Sequence, residues 1–338
     1  MKVSGLQFFT LAAFTLLGAL PYLVVTPYTI QLATIALMWV LMAQGLNVIQ
    51  GETGYVSIAQ AGFMGVGAYA SVLLVQRDGF PIWGAMLIAP MAASLLAAII
   101  GFPSLRVKGH YFAIVTLAYN LVIFITFSNA VSITGGEGGL SEIPRPESLE
   151  LPYLGTVSFH NRINYYYLTF IIATFGYLGA WLISRSAFGR VLRAIRQNEP
   201  LAEAVGVNCR SYKLTAFVIS ATYAGVAGVL YAHMIGFINP TPFAPDASLN
   251  AILAVIVGGS GTVAGPAVGA FMATFLPEFL RVDESTRFIA YGLILIIATI
   301  YLPRGLVPAI ADGIAALRVR FRLDGSRHAC QKSRPANE

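Results

Sequence analysis

A glutamate and three glycines interrupt an apolar stretch near the start of the chain, where residues 51–62 read GETGYVSIAQAG. A carboxylate such as Glu52 is costly at membrane depth and usually marks a site of function there. The free N–H groups of a helix that begins near Tyr55 to Ser57 carry partial positive charge and could face a polar solute. These residue types indicate contact with a passing solute rather than the breaking of bonds.

Other chemically capable groups do not form an active-site pattern. GGSGTVAG at 258–265 is glycine-rich, but it lacks the Gly-Lys-Ser/Thr ending of a phosphate loop and lies in an apolar run. The histidines and cysteines have no neighbours at metal-ligand spacing. They are His110, His160, His233, His328, Cys209 and Cys330. The sequence therefore predicts no enzyme activity, no metal site and no cofactor.

Composition determines the fold class. Of 338 residues, 57% are hydrophobic and only 11% are charged, whereas soluble domains carry about 25% charged residues. Lipid requires every backbone polar group to be paired within the protein, so helices are expected. The sequence predicts an all-α polytopic membrane protein, a bundle of about 8–10 transmembrane spans with glycine-broken segments. The apolar runs cover residues 5–26, 28–49, 57–76, 81–102, 110–128, 165–184, 213–235, 249–280 (interrupted) and 287–308.

Basic residues predict the orientation of the spans. If the first run is a retained span and Met1 is cytoplasmic, 16 of the 21 Lys and Arg residues face the cytoplasm. Both termini are then cytoplasmic. Residues 1–310 form a membrane domain with an external loop at 128–164 and a cytoplasmic loop at 185–213, and a basic cytoplasmic tail covers 311–338. The net charge of +6 is thus a topology signal and no indication of nucleic-acid binding.

The opening motif occurs twice. Residues 46–62 (LNVIQGETGYVSIAQAG) and 253–269 (LAVIVGGSGTVAGPAVG) are identical at 7 of 17 positions, three of them glycines. Paired glycine-broken segments in the two halves of a membrane protein indicate a transport pathway. The alternative is that the glycines only allow close helix packing. Glu52 favours the pathway, unless the break lies at the cytoplasmic interface, where this carboxylate would be solvated. The relative direction of the two copies stays open. The candidate pathway residues are Gly51, Glu52, Gly54, Ser57, Gln60, Gly258, Gly259 and Gly261.

The cytoplasmic loop contains a short helix. Within RSAFGRVLRAIRQNEPLAEAVGVNCRSYK, Asn198 is suited to cap a helix, Pro200 to its first turn and Gly206 to its end. Two helical turns are unstable alone in water, so the helix over 199–205 must dock. It packs either under its own bundle or in a groove of another protein.

The order of motifs resembles a known family. The blocks are GLNVIQGETGYVSIAQAGFMGVGAY, YFAIVTLAYNLVIF, TGGEGGL, RAIRQNEPLAEAVGV, SYKLTAFVISATYAGVAGVLYA, AVIVGGSGTVAGPAVGA and YGLILIIATIYLPRGL. They extend from about residue 40 to 308, and in this order the chain resembles the M-type permease subunit of branched-chain amino acid ABC transporters.

This resemblance implies an importer permease in a bacterial plasma (inner) membrane that carries leucine, isoleucine or valine. Its partners would be a second, H-type permease, two cytoplasmic ATPase subunits and an external binding protein, besides membrane lipid. In such permeases a short helix fits a cleft of the ATPase. The corresponding positions here are Glu199, Leu201, Ala202, Glu203, Ala204 and Gly206.

Two other functions remain open. The same family serves urea, other small amides and other amino acids. A secondary transporter driven by an ion gradient also uses repeats and broken helices, but it normally has several intramembrane charges, and this sequence offers at most Glu52. A membrane scaffold without transport would not need two glycine-broken segments.

Overall fold

The computed structural model describes residues 26–107, 109–151, 155–280 and 305–310, together with residues 18, 21, 293 and 296 singly. The predicted first and last spans lie almost wholly outside these residues, and the basic tail lies entirely outside them. Within the described part nearly all regular structure is helical, so the predicted all-α class is confirmed. A small antiparallel hairpin, β1 (Leu149–Leu151) paired with β2 (Gly155–Val157), lies in the predicted external loop.

Five of the described helical segments are long and apolar enough to cross a membrane, which makes this a multi-pass membrane protein. They are α1 with the π-helical turn that follows it, α3, α4, α6 and α9, and they match the predicted runs. The elements are α1 (Pro27–Leu46) with its π turn (Asn47–Gly51), α2 (Gln60–Gln76), α3 (Ile82–Ser104), α4 (His110–Asn129), α5 (Val131–Thr134), a 3₁₀ turn (Gly136–Gly138), α6 (Arg162–Arg185), α7 (Ala187–Gln197), α8 (Glu199–Ala204), α9 (Cys209–Ile235), a 3₁₀ turn (Thr241–Phe243), α10 (Pro245–Gly258) and α11 (Ala264–Leu280).

The bundle is built around α1, α2 and α9. α9 packs along α2, α3 and α1, and α1 also packs against α6 and α11. Large apolar side chains such as Leu37, Phe63 and Phe217 are buried between these helices. The outer helices turn residues such as Leu87, Val122 and Phe175 outward. Such a surface is as apolar as lipid tails, as expected of membrane-facing helices.

Two interruptions of the helices correspond to the two copies of the repeat. We call residues 51–59, from the last residue of the π turn to the residue before α2, the first break. We call residues 259–263, between α10 and α11, the second break. The helix after the first break begins at Gln60, later than the predicted Tyr55 to Ser57. Its preceding backbone stays non-helical because hydroxyl groups satisfy the N–H groups there: Ile58 donates to Thr116 at 3.0 Å.

The predicted cytoplasmic loop is mostly helical, because α7 and α8 fill it and α9 begins early, at Cys209. The short helix is confirmed. Asn198 Oδ1 accepts the Leu201 N–H at 3.1 Å, as an N-cap does. Gly206, with φ +88°, lies just beyond the end of the helix.

The residues predicted to lie on opposite sides of the membrane lie at opposite ends of the bundle. At one end Arg210 donates to the Phe102 carbonyl at 2.6 Å, so the end of α3 adjoins the start of α9. At the other end Arg145 donates to the Met234 carbonyl at 3.4 Å, linking the loop 128–164 to the end of α9. The segments that share an end of the bundle are thus those that the predicted topology places on the same side of the membrane. Which end faces the cytoplasm stays a prediction.

Candidate functional site

The two breaks lie against each other. Asn47, in the π turn of α1, donates through Nδ2 to the Thr262 carbonyl at 3.0 Å and accepts the Gly261 N–H through Oδ1 at 2.9 Å. Gln44, one turn earlier, donates to the Val263 carbonyl at 2.7 Å. Side chains at the end of α1 and in its π turn thus satisfy backbone groups of the second break, as buried non-helical backbone requires.

Glycine is required at this contact. A Cβ atom on Gly51 would lie 2.7 Å from the Gly261 nitrogen, closer than real Cβ atoms approach. Gly261 itself has φ +79°, a conformation that L side chains rarely adopt. Gly51 and Gly261 therefore serve the close approach of the two breaks, as the packing interpretation predicts for them.

The two copies of the repeat contribute to the contact in a similar way. α1 with its π turn ends at Gly51, and α10 ends at Gly258, directly before the second break. Both copies therefore bring the carboxyl end of a helix to the contact. Single π turns within α-helices are frequently found at functional sites.

Glu52 is buried and paired. Its Oε2 lies 2.8 Å from Nη1 of Arg193 on α7, and only 3% of its side chain is exposed. The same guanidinium donates to the Ser184 carbonyl at 2.8 Å. The sequence allowed a carboxylate in the pathway or one solvated at the interface. In the structure Glu52 lies at the arginine-rich end of the bundle, shielded from solvent and held by Arg193.

Arg196, one turn further along α7, contacts both breaks. Its Nη1 donates to the Gly51 carbonyl, and its aliphatic stem lies beside Gly54. The guanidinium also lies next to Gly261. The carbonyls at a helix carboxyl end carry partial negative charge and lack partners in the helix, so a guanidinium is well suited to cap them.

A second polar link joins the first break to α8. Tyr55 donates its hydroxyl hydrogen to Glu199 Oε2 at 2.7 Å. Lys213, buried on α9, donates to Glu199 Oε1 at 2.6 Å and to the Tyr55 hydroxyl at 3.1 Å. Burial, followed by the hydrogen bond to Glu199, raises the pKa of the Tyr55 hydroxyl. The hydroxyl therefore stays protonated and remains a donor to the carboxylate.

The residues proposed to contact a partner ATPase divide between two sides of α8. Glu199 faces the bundle through the Tyr55 link, and Ala202 is buried beside Ile195 and Cys209. Leu201 is 61% exposed, and Val205, which directly follows the helix and is not one of the six, is 73% exposed. The remaining three, Glu203, Ala204 and Gly206, are also exposed. The helix thus both packs under its own bundle and presents an apolar outer side.

Several polar groups around the start of α2 are paired with neighbouring helices. Ala61 donates to Ser248 Oγ at 2.9 Å, and the Gln60 side chain donates to Ser220. Asn120 donates to Ser248 Oγ and to the Ile58 carbonyl, each at 2.9 Å. The Ala61 N–H and the side-chain amide N–H groups of Gln60 and Asn120 therefore do not face a solute in this conformation. Ser57, another pathway candidate, is fully buried.

Sequence reasoning missed the residues that link the elements: Asn47, Tyr55, Arg193, Arg196 and Lys213. Only two carried a signal. Lys213 is a lone cation at the edge of an apolar run, and Asn47 is an amide inside one. Such groups are expensive in a membrane and so require partners. Nothing in the sequence shows which partners they find.

The chain is similar to known permeases over most of its length. The family described as "Branched-chain amino acid transport system / permease component" matches residues 28–301. The high-affinity branched-chain amino acid transport system permease protein LivM of Escherichia coli is 31% identical over 321 residues, covering 89% of this chain and 75% of that protein. BraD of Pseudomonas aeruginosa, with the same description, is 25% identical over 289 residues, covering 81% of this chain and 92% of that protein.

A relative with a different named cargo also matches. The autoinducer 2 import system permease protein LsrC of Salmonella typhi is 27% identical over 205 residues, covering 57% of this chain and 55% of that protein. No solved structure is significantly similar to the chain.

Proposed function

This chain belongs to the family of branched-chain amino acid transport system permease components. On that premise we propose that it is the membrane-spanning subunit of an ATP-driven ABC importer that carries leucine, isoleucine and valine. It does no chemistry on the solute, and partner subunits hydrolyse the ATP. The observation that carries the proposal is the geometry of α8, which is exposed on one side and tied to the first break on the other.

The exposed side of α8 is suited to a protein partner. Leu201 and Val205 present apolar side chains, and Glu203 lies between them in sequence. A short amphipathic helix that docks in a groove is a common mode of recognition. We assign this side to an ATPase subunit. Glu199 and Ala202, which face the bundle, would act from inside by holding the helix in place.

The remaining partners follow from the family resemblance. A second homologous permease would complete the pathway, two ATPase subunits would bind on the cytoplasmic side, and an external protein would deliver the solute near the loop 128–164. The site of action would be a bacterial plasma (inner) membrane, with both termini cytoplasmic. The excess of basic residues at the α7–α8 end supports this orientation.

Substrate identity rests on the relatives. LivM and BraD are named for branched-chain amino acids, whereas LsrC is named for autoinducer 2. Urea, a small amide or another amino acid is the second candidate. An ion-gradient-driven transporter is less well supported, because Glu52 and Glu199 are each held by a cation and are not free for ion coupling.

Capture of the chain from gently solubilised native membranes tests the proposal. We expect mass spectrometry to identify two ATPase subunits and a second permease with the wild type. The double variant Leu201→Ser/Val205→Ser should lose the ATPase subunits. The control is Val131→Ser, which alters a side chain that is 68% exposed on α5, at the opposite end of the bundle. Recovery of the wild type alone would overturn the proposal.

Uptake measurements then identify the solute. Membrane vesicles or cells that contain the complete complex should accumulate labelled leucine, isoleucine and valine in an ATP-dependent manner. Uptake of labelled urea, the second candidate solute, is measured in parallel. Uptake that follows an ion gradient and ignores ATP would favour the secondary transporter instead.

A further inference from the structure

We propose that Arg196 and the set Tyr55, Glu199 and Lys213 are positioning residues that make α7, α8 and the two breaks move as one unit. This inference rests on the proposed function, since it states how a displacement of α8 by an ATPase would reach the pathway. We assign none of these four side chains to contact with the solute. Each acts by holding the backbone of a break to the segment that the ATPase moves.

The first attachment is the Tyr55 link. Lys213 and Tyr55 are buried, and 13% of the Glu199 side chain is exposed. The Lys213 ammonium also lies 4.4 Å from the centre of the Tyr55 ring. Every polar atom of this set is thus held by another member in a poorly solvated place. Moving α8 away from the first break and from α9 would leave the buried Lys213 ammonium without its carboxylate, which is among the most costly changes in a folded protein.

The second attachment is Arg196. It holds the Gly51 carbonyl at the end of the π turn and lies against Gly261 of the second break. Because Asn47 already bonds the second break to the π turn, α7 reaches both repeats through one side chain. The pair Arg193 and Glu52 adds a further contact between the same two elements.

α8 is too short to hold its position without these attachments. It has six residues, and besides the Tyr55 link its own packing is a small cluster around Ala202. A helix of this length is not stable on its own and is held in place only by its contacts. Transmission therefore depends on the side chains that fasten α7 and α8 to the breaks.

A merely structural role predicts something different. A fastening that only stabilises the fold would, when removed, lower the amount and melting temperature of the complex and leave the uptake per ATP unchanged. A positioning role predicts that the assembled complex still hydrolyses ATP but moves less solute for each ATP. The ratio of the two rates separates these cases.

The experiment uses the whole complex in proteoliposomes with its binding protein, and it measures leucine uptake and ATP hydrolysis together. Tyr55→Phe removes one oxygen atom, and Arg196→Met removes the guanidinium. The matched controls are Tyr69→Phe, a buried tyrosine whose hydroxyl has no hydrogen-bond partner in the described part of the chain, and Arg190→Met, an exposed arginine of α7. Melting temperature and subunit content are recorded for each variant.

We expect Tyr55→Phe and Arg196→Met to lose about 5-fold or more of the uptake per ATP, the low end of typical coupling between sites. Arg196→Lys should recover part of the loss, and both controls should match the wild type. An unchanged ratio in assembled Tyr55→Phe and Arg196→Met complexes overturns the inference alone. A wild-type complex that lacks ATPase subunits, or takes up solute without ATP, overturns the proposed function and this inference with it.

Discussion

Arg193 and Glu52 form an ion pair of 2.8 Å although 141 residues separate them in sequence. The pair joins α7 to the turn that follows α1. It neutralises the one carboxylate that sequence analysis had placed in a possible pathway. The consequence for function is that the interrupted segment of the first repeat and the arginine-rich segment are fixed to each other before any solute or nucleotide binds.

Removal of Arg193 should destabilise the protein through Glu52. Arg193→Ala leaves a buried carboxylate without its cation, and we expect a loss of about 1–3 kcal/mol in the free energy of unfolding. The loss is smaller than for a fully buried pair because 40% of the Arg193 side chain is exposed. Adding Glu52→Gln should restore most of it. Reversible unfolding in detergent measures the free energy of unfolding of the single and the double variant, with Arg190→Ala as control. A loss in Arg193→Ala no larger than that in the control contradicts the prediction.

Asn47 should be intolerant of an apolar replacement. Asn47→Leu keeps the approximate volume but leaves the Gly261 N–H and the Thr262 carbonyl without their partner. Each unsatisfied buried group costs about 1–3 kcal/mol. The melting temperature of the purified protein should fall clearly. Asn129→Leu, which replaces an exposed amide at the end of α4, is the comparison; equal effects at the two sites would show that the bridge between the breaks contributes no stability.

Gly261 should tolerate alanine less well than another glycine of similar backbone conformation. Gly79 has φ +62° with nothing within 4 Å, whereas a Cβ atom on Gly261 would meet Arg196 and the Gly51 carbonyl. Alanine in the left-handed region costs about 1–2 kcal/mol at either position. The additional destabilisation of Gly261→Ala over Gly79→Ala then measures the contact between the breaks. Unfolding experiments on the two single variants provide the test, and equal losses would argue against the contact.

The predicted orientation has a direct test by thiol labelling. A membrane-impermeant maleimide added to intact cells should label Val131→Cys, in the predicted external loop. It should label Ala204→Cys on α8 only after the cells are permeabilised. Cys330 is replaced by serine for this test, and Cys209, which is 2% exposed, serves as an internal residue that stays unlabelled. The reverse labelling pattern would show that the orientation is inverted.

The spans, the repeat and the short helix were predictable because each depends on local properties. A run of apolar residues long enough to cross lipid specifies a helix without reference to the rest of the chain. Asn198 and Gly206 likewise specify the ends of α8 through neighbouring backbone groups. The start of α2 was predicted less well, because Thr116 and Ser248 on other helices satisfy N–H groups before and within its first turn.

The sequence by itself determined a helical membrane protein of this family, with two glycine-broken segments and a capped helix at its arginine-rich end. Only the tertiary structure decided that the breaks touch, that Arg193 holds Glu52, and that Tyr55 and Lys213 converge on Glu199. The physical reason is the range of the interactions. Apolar length and helix caps act within a few residues, whereas a buried polar group is satisfied by whichever partner the packing of distant helices brings within about 3 Å.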